Sequence, residues 1–187
     1  MPLARAGAVP RFSPMKPGDA VKVSDKEKRE HVRKLVAGFD TAMLVTSALA
    51  GGLHSRPLSI ARRRDDDTLY FATAIDSEKV HEIEHDSSVN VALQDGRRFV
   101  SLSGRARIVR DPALIHELWS ESWKIWFPRG EADPTLCLLT VEPLEATYWD
   151  GAGATGLRYL FEMARAYVAN EQPRSDEDER HTGHVKL

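Results

Sequence analysis

Three side chains in two short segments could together hold an anion. Arg56 lies in His54-Ser55-Arg56-Pro57-Leu58-Ser59, which reads as a strand. Its guanidinium is planar, always charged and suited to phosphate or carboxylate. Pro57 removes a ladder donor, which predicts an edge strand or a bulge. Further on, Phe71-Ala72-Thr73-Ala74-Ile75-Asp76-Ser77-Glu78-Lys79 reads as strand, turn and helix start. Ser77 and Lys79 then fall in the first helical turn, where free amides and the helix dipole favour negative charge. A hydroxyl and an ammonium there would complete a phosphate cradle. Spacing alone allows an equal alternative, in which Asp76 or Ser77 only caps the helix and Lys79 is solvated.

Two other motifs match signatures of chemistry without their context. His81-Glu82-Ile83-Glu84-His85 has the spacing of a zinc protease helix. A catalytic zinc needs a third protein ligand. The next apolar stretch, 89–94, reads as a strand and offers none, and Asp86-Ser87-Ser88 ends the helix. The expectation is a solvated helix with Val80 and Ile83 towards the core, and no metal. Gly151-Ala152-Gly153-Ala154-Thr155-Gly156 matches the dinucleotide fingerprint. A Rossmann unit then requires a second parallel strand. The chain after Asn170 runs EQPRSDEDERHTGHVKL and reads as a polar tail with no buried strand. The glycines are therefore expected to be a joint into a terminal helix. Trp119, Trp123 and Trp126 are spaced four and three, on one face of a helix expected from Asp111-Pro112 to Trp126. Such a stripe is usually core, although aromatic faces can also cover a flat ligand.

The elements that must position these residues follow from patterning. Residues 1–24 hold four prolines and read as an extended arm. Ser24 and Glu27 have capping-box spacing and start a helix over 25–39. Strands are expected at 41–48, 53–61, 69–74, 89–94, 99–109, 136–141 and 145–149. Gly51-Gly52 and Asp95-Gly96 mark turns. Helices are expected at 77–85 and 157–170, and a polar tail at 171–187. Strands joined mostly by short turns argue against a doubly wound parallel sheet. A mainly β fold with flanking helices, an antiparallel sheet closing into a small barrel, fits better.

Composition bounds the function. The 187 residues carry 26 basic and 28 acidic side chains, a net charge of -2. That gives no electrostatic case for nucleic acid, although residues 1–34 are locally basic. The longest near-apolar run, 41–53, is too short to span a bilayer. The opening MPLARAGAVP lacks the apolar core of a secretory leader. One cysteine, Cys137, allows no internal disulfide. A cytoplasmic setting without a membrane partner is the expectation.

The motifs in order carry a family resemblance over about residues 25–150. They are Arg56-Pro57, Ser77-Glu78-Lys79, Trp126-Phe127-Pro128-Arg129-Gly130 and Tyr148-Trp149-Asp150. This chain resembles the pyridoxamine 5'-phosphate oxidase-like flavin-binding split barrels, in their bacterial general stress protein branch. The resemblance implies a homodimer with FMN at the subunit interface, with FAD or a deazaflavin as alternatives. It places Arg56, Ser77 and Lys79 on the phosphate. It runs Pro57, Leu58, Phe71, Ala72 and Thr73 along the ring and ribityl chain. Gln94 would approach from the second subunit, and Trp126 with Phe127 would border the flavin. No closing Trp-and-Arg substrate signature follows residue 150, which speaks against oxidation of pyridoxamine phosphate itself. The resemblance implies a flavin-dependent oxidoreductase linked to stress. The alternative is a non-catalytic flavin carrier or stress-linked interaction module on the same fold. A haem reading would rest on His54 as a lone ligand.

Overall fold

The computed structural model describes residues 23–64, 66–151 and 182–187. The expected arm up to residue 22, the glycine joint from 152, the helix over 157–170 and the tail up to 181 lie outside them. Helix α1 (Asp25–Ala37) starts as its capping box predicts. Glu27 N donates to Ser24 Oγ, and Ser24 N donates to Glu27 Oε2. The helix buries Val32, Leu35 and Val36, the positions at helical spacing.

The strands are β1 (Thr41–Ser47), β2 (Leu53–Ser59), β3 (Arg62–Arg63), β4 (Leu69–Ala74), β5 (Ser88–Asp95), β6 (Arg98–Val109), β7 (Leu136–Asp150) and β8 (Thr182–Lys186). Helix α2 (Glu78–His85) follows β4, and α3 (Pro112–Leu118) follows β6. All pairings are antiparallel, in the order β2-β1-β5-β6-β7-β4-β3, with β8 also on β7. This is an antiparallel split barrel, as expected. Strands β4 and β7 separate two cores by alternation. Leu69, Phe71, Leu139 and Val141 face the main core with Leu44, Val91, Leu102 and Tyr148. Tyr70, Leu136 and Leu138 face a smaller core closed by Ile115, Leu118 and Phe127.

Three expectations are corrected. The strands expected at 136–141 and 145–149 are one strand, β7. Pro143 cannot donate to the ladder, yet the strand continues because the register shifts there opposite Ser103 and Gly104. The helix expected to reach Trp126 stops at Leu118, and a separate 3₁₀ turn covers Glu121–Ile125. Local side-chain bonds accompany the break. Trp119 Nε1 donates to Glu121 Oε1 at 3.0 Å, and the Ser120 and Ser122 hydroxyls meet at 2.8 Å. Trp119 and Trp123 still pack edge to face against the smaller core, while Trp126 points into solvent. Finally, the tail ends in a real strand, β8. Its signal is faint because only Val185 of the strand is buried. Gly183 lies against the Tyr148 ring, and a Cβ there would come within 2.7 Å of its hydroxyl oxygen. Strand β8 runs antiparallel to β7, so it does not supply the parallel strand of a Rossmann unit.

A candidate anion cradle at the split of the barrel

The sheet order leaves a split between β2 and β4. Among the described residues, strand β2 ends the sheet and pairs only with β1, which is the edge position that Pro57 predicts. Strand β4 gives one edge to β7 along its whole length. Its other edge meets β3 only at Leu69 and Tyr70. Among the described residues, the edge from Phe71 to Ala74 has no strand partner. The chain leaves this edge through Ile75 and Asp76 and enters α2, so the helix N-terminus opens beside the split.

The polar side of the split is organised by a residue that spacing alone misassigned. Glu82 is fully buried, not on a solvated face. Thr46 Oγ1 donates to its Oε2 at 2.6 Å, and Arg56 Nη2 donates to the same oxygen at 2.7 Å. His54 Nδ1 lies 2.5 Å from Oε1. Arg56 Nη1 also reaches Thr46 Oγ1. Burial alone would raise the Glu82 carboxyl, but the bonds from Thr46, His54 and Arg56, with the Arg56 charge, outweigh it and hold the carboxyl below its usual value. The readable signal was on β2. His54 and Arg56 alternate on one strand face, opposite Thr46 and Leu44 of β1.

Lys79 completes the cluster. Its ammonium is half-buried and donates to Thr73 Oγ1 at 3.0 Å. Among the described residues it forms no ion pair. Burial first, and the nearby Arg56 charge second, lower its pKa from the ordinary lysine value. Ser77 is the N-cap of α2, yet its hydroxyl makes no capping bond. It lies 3.5 Å from Thr73 Oγ1. The structure thus brings Arg56, Thr73, Ser77 and Lys79 together near the start of α2, with the buried Glu82 carboxylate on Arg56 and the Asp76 and Glu78 carboxylates close by.

Cys137 lies behind this cluster, opposite Thr73 in the β4–β7 register. Burial pushes its thiol up to about 11. It is expected to resist a thiol-specific disulfide reagent in the native protein and to react fully only in denaturant, measured by released chromophore.

The other expected site residues are spread more widely. Pro57 is exposed, and Leu58 leans on the main core. Phe71 is enclosed in that core, so its strand backbone is what it offers a ligand. Ala72 packs on the smaller core. Gln94 is exposed at the end of β5. Across the outer sheet face it stands beside Phe99, which stands beside Trp149. Trp126 is 77% exposed on the loop after the 3₁₀ turn, away from the Trp119–Trp123 pair. His81 and His85 are exposed while Glu82 turns inward, and among the described residues no third ligand joins the two histidines. A different trio, His54, Glu78 and Glu82, brings ligand atoms within 4.8 Å of one another. Thr46 and Arg56 already engage Glu82 there.

Comparison with known proteins places this arrangement. The family model described as pyridoxamine 5'-phosphate oxidase like matches residues 27–174. The chain belongs to that family. Within the pyridoxamine 5'-phosphate oxidase-like family, it is 32% identical to general stress protein 26 of Bacillus subtilis over 98 residues, 50% of this chain and 68% of that protein. It is similar to the crystal structure of the general stress FMN/FAD binding protein of Xanthomonas citri, with a TM-score of 0.60 and 27% identity, over 69% of this chain and 92% of that one. A general stress protein 26 structure from Jannaschia shares the fold at a TM-score of 0.64 and 22% identity, over 87% of this chain and 99% of that one. Among the described residues, no helix is long and apolar enough to cross a membrane.

Proposed function

We propose that this protein binds FMN by its phosphate at the split of the barrel and acts as a flavin-dependent oxidoreductase. The observation that carries the reading is the half-buried Lys79 ammonium, unpaired among the described residues and grouped with Ser77 and Arg56 at the start of α2. A phosphate monoester suits such a site. It would accept from the ammonium, the guanidinium, the Ser77 hydroxyl and the first-turn amides, and it would relieve the repulsion between the two cations. The open edge of β4 offers backbone groups to a ribityl chain and ring. The Xanthomonas citri relative, named as an FMN/FAD binding protein, supports the same reading.

When bound, the flavin supplies the electron transfer, and the protein's part is to hold the phosphate and control access to the ring. The cradle shows no nucleophile activated by a base, which suits that division of labour. The functional unit of this reading is a homodimer. The apolar row formed by Phe99 and Trp149, with Met43 on the same face, is 37%, 46% and 39% exposed and suits a second copy. Gln94 sits in that row, where it could reach a flavin held by the partner.

Titration of the purified protein with FMN, followed by quenching of flavin fluorescence, tests the reading. One FMN per chain is expected, and Lys79→Ala should weaken binding about tenfold or more through loss of a charge-assisted hydrogen bond. A protein that takes up no FMN overturns the proposal. Reduction of the bound flavin by NADH or NADPH, with turnover, separates an oxidoreductase from a carrier.

A further inference from the structure

We propose that Glu82 is a positioning residue for the phosphate, acting through Arg56; the inference rests on the FMN reading above. Glu82 comes from α2, Thr46 from β1, and His54 with Arg56 from β2. One enclosed carboxylate therefore ties α2 to the edge strand β2 and to its neighbour β1. Arg56 is an edge-strand arginine, with four side-chain torsions to freeze. Here its fork is clamped. Nη2 donates to Glu82, while Nη1 donates to Thr46 Oγ1 and, at 3.4 Å, to the His54 carbonyl. A guanidinium has five N–H donors. The clamp leaves Nε–H and one Nη2–H for a ligand.

Charge alone makes Glu82 a poor neighbour for a phosphate. A carboxylate beside an anion site repels the anion and offsets part of the attraction of Arg56 and Lys79. Its benefit is pre-organisation. An arginine already held in one rotamer loses less freedom when the anion arrives. The two effects predict opposite outcomes for Glu82→Gln, which keeps the size of the side chain and removes its charge. If Glu82 acts only as a charge, FMN binds the variant more tightly. If Glu82 positions Arg56, FMN binds it more weakly.

Riboflavin separates positioning from a general packing role, because it has the ring and ribityl chain but no phosphate. Wild type, Glu82→Gln and the near-isosteric Thr46→Val are titrated with FMN and with riboflavin. Thr46→Val releases the other side of the Arg56 clamp and stands in if Glu82→Gln folds poorly. The expected result is an FMN affinity about tenfold lower in Glu82→Gln, and lower in the same direction in Thr46→Val, with riboflavin affinity within about twofold of wild type. Unchanged or tighter FMN binding overturns the inference, and so does an equal loss for both ligands. A wild type that does not prefer FMN to riboflavin overturns the cradle itself. That failure appears before any variant is compared, so the two failures are distinguishable.

Discussion

The Arg56→Ala variant is expected to be about 3 kcal/mol less stable than wild type at neutral pH, with no ligand present. The loss comes from the residue left behind. Glu82 has 1% of its side chain exposed, so in the native fold it relies on protein partners and not on water. Breaking a buried ion pair from one side costs about 3–5 kcal/mol. The low end applies because Thr46 and His54 still hold the carboxylate. The pH dependence changes as well. In wild type the Glu82 carboxyl is held below its usual value, so its stabilisation is present above the unfolded value and is lost as pH falls through the folded one. Without Arg56 two of the contributions that hold the carboxyl down are gone, so its folded value moves up and less stability is tied to its ionisation. The gap between the two proteins therefore narrows as pH is lowered from about 7 through the carboxylate range towards about 4. Urea unfolding midpoints at both pH values check this. A constant gap, or none, would show that Arg56 and Glu82 are not coupled as the distances indicate.

Much of this scaffold is legible in the sequence because its strands alternate cleanly. Ala42, Leu44 and Thr46 of β1 face inward, and Thr41 and Met43 face outward. The capping box at Ser24 and Glu27 and the turn at Gly51-Gly52 act locally, so residue types report them directly. Ser77 and Lys79 were legible for the same reason, since their meeting with Thr73 spans only a few residues. What stayed hidden depends on partners distant along the chain. Glu82 is separated from Thr46 by 36 positions, and nothing local says that it turns towards β1 rather than towards solvent. The motif His81-Glu82-Ile83-Glu84-His85 gives no sign of this, and the expected solvated face was wrong for Glu82. It describes one helix face, whereas the residue that matters is claimed by two strands. Strand β8 was hidden differently. With Val185 alone buried, its pairing rests on the β7 backbone and on the fit of Gly183 against Tyr148.

The Gly104→Ala variant is expected to lose about 3 kcal/mol or more, close to the largest cost of overpacking. Gly104 sits on β6 where the register with β7 shifts opposite Pro143. A Cβ at this position would lie 2.2 Å from the Glu142 carbonyl oxygen and 2.8 Å from Pro143 Cα. Both contacts are backbone atoms, so no side chain can rotate away to make room. Nor can β7 simply step aside. It is a 15-residue strand hydrogen-bonded to β6, and on its far edge to β4 and β8. Its buried positions also line both cores. Making room for one methyl therefore means parting the two longest strands at their bulge and opening contacts on either side. For a chain of this size, the loss corresponds to a fall in melting temperature of roughly 10 °C. Thermal unfolding followed by circular dichroism measures it. A melting temperature within about 2 °C of wild type would mean that the bulge is looser than the contacts allow. Because Gly104 makes none of the cradle's hydrogen bonds, any of the variant that folds should still bind FMN as wild type does if the reading above holds. That separates damage to the scaffold from damage to the site.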